Sequence, residues 1–98
     1  MAKQIIWTNK AKNELIDILK YWIERNKSNS FSIKLNNLIK EHLDLIAEFS
    51  ETGRKTDIDN VNIKIIHKYL LYYEVINDKI YVLTIRHGSK DPKTLKLK

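Results

Sequence analysis

Residues 61–85 read Val61-Asn62-Ile63-Lys64-Ile65-Ile66, His67-Lys68, Tyr69-Leu70-Leu71-Tyr72-Tyr73-Glu74-Val75-Ile76, Asn77-Asp78-Lys79 and Ile80-Tyr81-Val82-Leu83-Thr84-Ile85. The three apolar runs are rich in Ile, Val and Tyr, whose branched or aromatic side chains fit a pleated surface. Polar breaks separate them, and Asn-Asp between two such runs is a hairpin turn. The stretch therefore predicts a three-strand meander. Alternation in its middle run puts Tyr69, Leu71, Tyr73 and Val75 on one face and Leu70, Tyr72, Glu74 and Ile76 on the other. Both faces are apolar, which describes a central strand covered on one side and partly on the other.

The residues before this stretch change period. From Asn9 to Asn26 the apolar positions Ala11, Leu15, Ile18, Leu19 and Trp22 form the stripe of an amphipathic helix, widened by Ile16 and Ile23. Thr8 is placed to cap it. The polar joint Asn26-Lys27-Ser28-Asn29-Ser30 precedes a second helix, capped by Ser28 or Ser30. Its apolar side is Phe31, Leu35, Leu38, His42, Leu45 and Phe49, with Ile39 and Ile46. Two amphipathic helices with a short joint predict an antiparallel hairpin. Gly53 is expected to close the second helix in a left-handed conformation, and Glu51 to Asp57 to form a loop. Gln4 to Trp7 reads as a first strand. Gly88-Ser89-Lys90-Asp91-Pro92 reads as a turn, after which Leu95 and Leu97 are expected to dock as a last turn or edge. The expected fold is α+β, in the order β-α-α-β-β-β, with the helix hairpin packed on a small, mainly antiparallel sheet. One domain spans residues 1–98.

Composition narrows the function. The 98 residues are 43% hydrophobic and 31% charged, ordinary for a globular protein. There is no cysteine, which excludes a disulfide scaffold, a thiolate metal site and a thiol nucleophile. No acidic cluster or His pair suits a metal, and no glycine loop suits a phosphate cofactor, so no cofactor is expected. No apolar run nears the roughly 20 residues of a membrane span, and the N-terminal apolar segment is too short for a secretory signal. A cytoplasmic protein without membrane association is expected. The net charge of +6 favours anionic partners. The excess gathers near the end, where Arg86, Lys90, Lys93, Lys96 and Lys98 accompany a single acid, Asp91.

Three histidines are present. His42 lies in the helical stripe and reads as a core-edge residue with one satisfied nitrogen. His67 lies in a turn. His87 ends the last strand beside Arg86 and Gly88, where working residues are common. Metal-free ribonucleolytic cleavage needs a base, an acid and cations for the charged phosphorane. Residues of those types are His67, His87, Glu51, Arg54, Lys68 and Arg86, but no spacing among them is diagnostic. Trp7, Trp22 and the tyrosines do not interleave with basic residues and read as core or sheet face.

Several features in fixed order carry a resemblance. They are Trp7-Thr8, then Ala11, Leu15, Ile18 and Tyr21-Trp22 on the first helix, and Gly53-Arg54 after the second. Tyr69-Leu70-Leu71-Tyr72-Tyr73-Glu74-Val75 follows, then Ile80-Tyr81-Val82-Leu83-Thr84-Ile85-Arg86-His87-Gly88 with Asp91-Pro92. Across essentially its whole length the chain resembles the RelE/ParE superfamily of toxins from type II toxin–antitoxin pairs, whose fold is β-α-α-β-β-β.

The resemblance implies one of two mechanisms. RelE-like toxins cleave mRNA in the ribosomal decoding site, and ParE-like toxins poison DNA gyrase. Many RelE-like nucleases carry Tyr-Arg-apolar-apolar-Tyr in the strand, with the arginine aimed at the RNA phosphate. Leu70 occupies that position here. Removing such a donor typically costs on the order of 100-fold in rate. The terminal tyrosine of several nucleases is also missing. The resemblance is therefore closer to the ParE branch, and the expected function is growth inhibition through gyrase, of the plasmid-stabilisation type. The alternatives are a ribosome-dependent endoribonuclease and a non-toxic binding member.

For gyrase the candidate contacts are Arg54, Lys55, Arg86, His87 and Lys90. For the nuclease the candidates are Arg54, Lys64, Lys68, Arg86 and His87, with His87 or His67 carrying the proton. The resemblance implies a cognate antitoxin whose C-terminal region folds around the toxin. It also implies contact with operator DNA only through that antitoxin.

Overall fold

A computed structural model describes residues 2–89; Lys90, Leu95 and Leu97 lie outside the described residues. Strand β1 (Gln4–Trp7) leads into helices α1 (Asn9–Asn26) and α2 (Ser30–Glu48). Strands β2 (Arg54–Lys55), β3 (Val61–Ile66), β4 (Tyr69–Ile76) and β5 (Lys79–His87) follow. The sheet order is β1-β5-β4-β3-β2. Among the described strands only β1 and β5 run parallel, with Gln4 opposite Lys79 and Trp7 opposite Val82. The other pairings are antiparallel. Both hairpins of the meander turn on two residues, and left-handed conformations at His67 (φ 57°) and Asn77 (φ 54°) make those turns tight.

The helix hairpin covers one sheet face. Ala11, Leu35, Ile39, Leu43 and Ile46 meet Ile66, Tyr69, Leu71, Tyr73, Ile80, Val82 and Ile85 in the main core. At roughly 1.5–3 kcal/mol per buried aliphatic or aromatic side chain, this layer drives folding. The other face carries a smaller cluster of Val61, Tyr72 and Leu83, flanked by Ile63, Leu70 and Tyr81. The division of β4 into two apolar faces is thus as its alternation requires.

The fold departs from the expected pattern in five places. Arg54–Lys55, read as loop, pairs with Ile63 and Asn62 as an edge strand. Two exposed residues carry no apolar pattern, so only backbone pairing reveals it. The buried line of α2 is Ser32, Leu35, Ile39, Leu43, Ile46 and Ala47, whereas Leu45 and Phe49 are exposed, Phe49 at 63%. The Ser32 hydroxyl donates to the Leu19 carbonyl at 3.1 Å, and this small residue at the helix crossing turns the stripe. Ile16 and Ile23 face outward rather than widening the core stripe. The N-cap residue of α2 is Asn29, without a side-chain cap; the Ser28 hydroxyl instead accepts from the Ser30 N–H at 3.2 Å. Gly53 is not left-handed: α2 ends at Glu48, where the Phe49 N–H donates to the Leu45 carbonyl at 2.8 Å. Thr8 caps α1 as expected, accepting from the Ala11 N–H at 3.2 Å.

Candidate functional site

Strand β1 covers only the first half of β5. At Thr8 the chain leaves the sheet, its N–H donating to the Val82 carbonyl at 3.2 Å and its hydroxyl to the same oxygen at 2.9 Å. Beyond that point a side chain replaces the missing strand. Glu14 accepts from the Thr84 hydroxyl at 2.6 Å and from the Ile85 N–H at 3.3 Å. The register of β4 on β5 shifts between Tyr72 and Tyr73, which face Thr84 and Val82, so Leu83 is an extra residue. Such a bulge bends a strand and re-aims its side chains. Here it precedes the segment that ends in Arg86 and His87.

Between α1 and this end of β5 lies a groove of about 520 Å³. Asp17, Tyr21 and Arg25, one face of α1 at four-residue spacing, form one wall. Lys68 from the β3–β4 turn and Tyr69 at the start of β4, with Arg86 and His87, form the other. Its lining is aromatic at depth. The Trp22 indole N–H donates to the Tyr69 hydroxyl at 2.7 Å, and the His87 ring meets Tyr69 edge-on at 5.5 Å. Trp22 also packs on Phe31, which meets His67 at 5.5 Å. Arg86 is 8% exposed, so its charge acts from a largely desolvated position.

The other candidates lie elsewhere. Arg54 and Lys64 line a second hollow with Gly53, Ile63, Ile65 and Leu70. Lys55 lines a third with Glu51, Asp59 and Asn62. The five nuclease candidates therefore divide, with Lys68, Arg86 and His87 in the first groove and Arg54 and Lys64 in the second. The cross-strand neighbours of Leu70 are Ile65 and Arg86, whereas Lys64 faces Leu71. His42 sits at the core edge, but its Nδ1 is buried without a hydrogen-bond partner. Burial lowers its pKa below the ordinary 6.5, Lys64 lowers it further, and Glu41 opposes both.

Arg54 is held by a lock that the sequence did not announce. The Tyr73 hydroxyl donates to the Ser50 carbonyl at 2.9 Å and accepts from the Gly53 N–H at 3.0 Å. A Cβ on Gly53 would stand 2.8 Å from the Ile63 carbonyl oxygen and against the Tyr73 ring. Close approach, not a positive φ, is why glycine precedes Arg54. Burial raises the Tyr73 pKa above 10.0, partly offset by hydrogen bonding to Gly53, so the phenol keeps the proton it donates. Glu14 also escaped the sequence reading; its only signal was an acid on the inner half of an amphipathic helix.

Among the described residues no group of His, Asp and Glu is arranged to hold a metal. No described helix is long and apolar enough to cross a membrane.

The two-helix, five-strand α+β arrangement of the described residues has a counterpart among solved structures. A solved chain of the chromosomal ParDE TA system from P. aeruginosa has the same fold, with a TM-score of 0.73 over 88% of this chain and 96% of that chain. The two are 18% identical, so that likeness concerns the fold alone. The family model for the ParE toxin of the type II toxin–antitoxin system, parDE, matches residues 5–92. The chain belongs to the ParE toxin family. No curated protein matches it.

Proposed function

We propose that this chain is a cytoplasmic toxin that poisons DNA gyrase and is neutralised by a cognate antitoxin. The observation that carries the gyrase reading is Leu70, apolar where the nuclease branch places its phosphate-facing arginine. Its strand neighbours supply Ile65 on one side and Arg86 on the other. A phosphorane at that position would lack the arginine of the strand, and losing such a donor costs on the order of 100-fold. Arg54, with Lys55, and Arg86, with His87, then serve as target contacts; Lys90 belongs to the same set. Operator DNA is contacted through the antitoxin. An antitoxin has apolar surface to cover on the hairpin, where Ile16, Ile23, Ile33, Leu45 and Phe49 are exposed.

A second reading draws on the convergence of Lys68, Arg86 and His87 in one groove. It makes the chain a metal-independent, ribosome-dependent endoribonuclease. One preparation released from its antitoxin separates the two. Supercoiling and covalent gyrase–DNA complexes are followed in parallel with mRNA cleavage in a translating extract. Gyrase inhibition with intact mRNA is expected. Codon-phased cleavage with unaffected gyrase would transfer the chain to the nuclease reading.

A further inference from the structure

The turn after β5 determines which nitrogen of His87 carries the proton. The Ser89 backbone N–H donates to His87 Nδ1 at 3.1 Å, and the Ser89 hydroxyl lies 2.7 Å from the same atom. A backbone N–H can only donate, so Nδ1 is an acceptor and holds no proton. A neutral imidazole has one proton, which therefore sits on Nε2. Nε2 has no hydrogen-bond partner among the described residues. The ring is held edge-on against Tyr69, which Trp22 anchors in turn. His87 thus lines the groove as an oriented donor, and its accepting nitrogen is already occupied.

We propose that His87 is a fixed N–H donor to a carboxylate of the protein target, and that the backbone N–H of Ser89 is the positioning group that fixes it. The proposal rests on the reading of this groove as a target-contact surface. The groove's charges favour a carboxylate over a nucleic-acid backbone. Arg25, Lys68 and Arg86 are opposed there by Glu14 and Asp17. A single carboxylate fits that slight positive excess, whereas a chain of phosphates would also meet the two acids.

Two measurements on the full chain test this. The first is a long-range ¹H–¹⁵N spectrum of the His87 ring at about pH 8, above the ordinary imidazole pKa of roughly 6.5. The Nε2–H tautomer is expected in the native chain and in Ser89→Ala, which keeps the backbone donor. Ser89→Pro, which removes it, is expected to give a tautomer mixture. An Nδ1–H tautomer in the native chain, or no change in Ser89→Pro, overturns the positioning role.

The second is binding to gyrase without DNA. His87→Ala and His87→Asn are expected to weaken it about tenfold or more, and His87→Gln, whose amide reaches the place of Nε2, to restore it to within about threefold. A glutamine variant as weak as the alanine one overturns the donor role. A loss seen only when DNA is present makes the acceptor a phosphate and overturns the carboxylate. If the native chain neither binds nor inhibits gyrase, the gyrase reading and the assigned target fall together, while the spectrum still decides the ring's tautomer.

Discussion

His42 couples the stability of this chain to pH. Its Nδ1 is buried without a partner, and burial together with Lys64 favours the neutral ring. The folded pKa is therefore below the unfolded value of 6.5, and the unfolded chain binds the proton more readily. Stability from this group is complete above the unfolded pKa and is lost as pH falls from there towards the folded pKa. Thermal unfolding is expected at lower temperature at pH 5.5 than at about pH 7.5, and His42→Leu is expected to flatten that difference. An unchanged slope in the variant would assign the dependence to other groups. His42 also shows how much a helical stripe can tell. Spacing put it at the core edge correctly, but spacing contains no information on hydrogen-bond partners. The same limit applies at Gly53, where the letter suggested a helix end and the cause is the Tyr73 ring beside it. That requirement arises across twenty residues of chain, so no local pattern records it.

At the scale of elements, the strands of the meander were legible because Ile, Val and Tyr runs are broken by short polar turns. The exposed and buried sides of α2 were not legible, because it has more apolar residues than one side can hold. Leu45 and Phe49 belong to an arithmetically good stripe, yet Leu35, Ile39, Leu43 and Ile46 are the ones that meet the sheet. The two-residue β2 and the bulge at Leu83 exist only through pairing partners. The open half of β5 was equally hidden, since nothing in Gln4 to Trp7 says that the strand stops at Val82 of its neighbour. Glu14 closes that edge, and its removal should be felt there first. Glu14→Ala leaves the Ile85 N–H and the Thr84 hydroxyl without their acceptor, an expected loss of about 1–3 kcal/mol. Denaturant unfolding and hydrogen exchange at Ile85 measure it. Glu14→Gln keeps an accepting oxygen and should lose less. Equal losses in both variants would show that the negative charge, not the acceptor, holds the edge.

The whole molecule presents a net charge of +6 and an apolar outer hairpin surface together. Such a surface is poorly suited to remaining alone in water and well suited to a partner that is acidic and amphipathic. The isolated chain is expected to self-associate. A co-expressed antitoxin is expected to make it soluble and to stabilise it by about 3 kcal/mol at 100 times the dissociation constant, which raises its melting temperature. A monomeric chain whose melting temperature ignores the antitoxin would refute this. The arrangement of charged residues was only partly readable from the chain. Arg86 and His87 were visible as a strand end beside a glycine, but their separation from Arg54 and Lys64 is a property of the folded sheet.

The parallel pairing of β1 with β5 has a consequence for how the protein is made. Gln4 to Trp7 are synthesised well before their strand partner among the described residues, Lys79 to Val82, which comes 75 residues later. While the ribosome works through the intervening chain, β1 has no strand to dock on, and the hairpin has at most β2, β3 and β4 beneath it. The groove beside α1 is assembled only when β5 emerges. A product of interrupted synthesis that stops before β5 lacks Arg86, His87 and the closing strand together. Partial copies of this toxin therefore lack the groove, and the cell meets the finished groove only once β5 has been made.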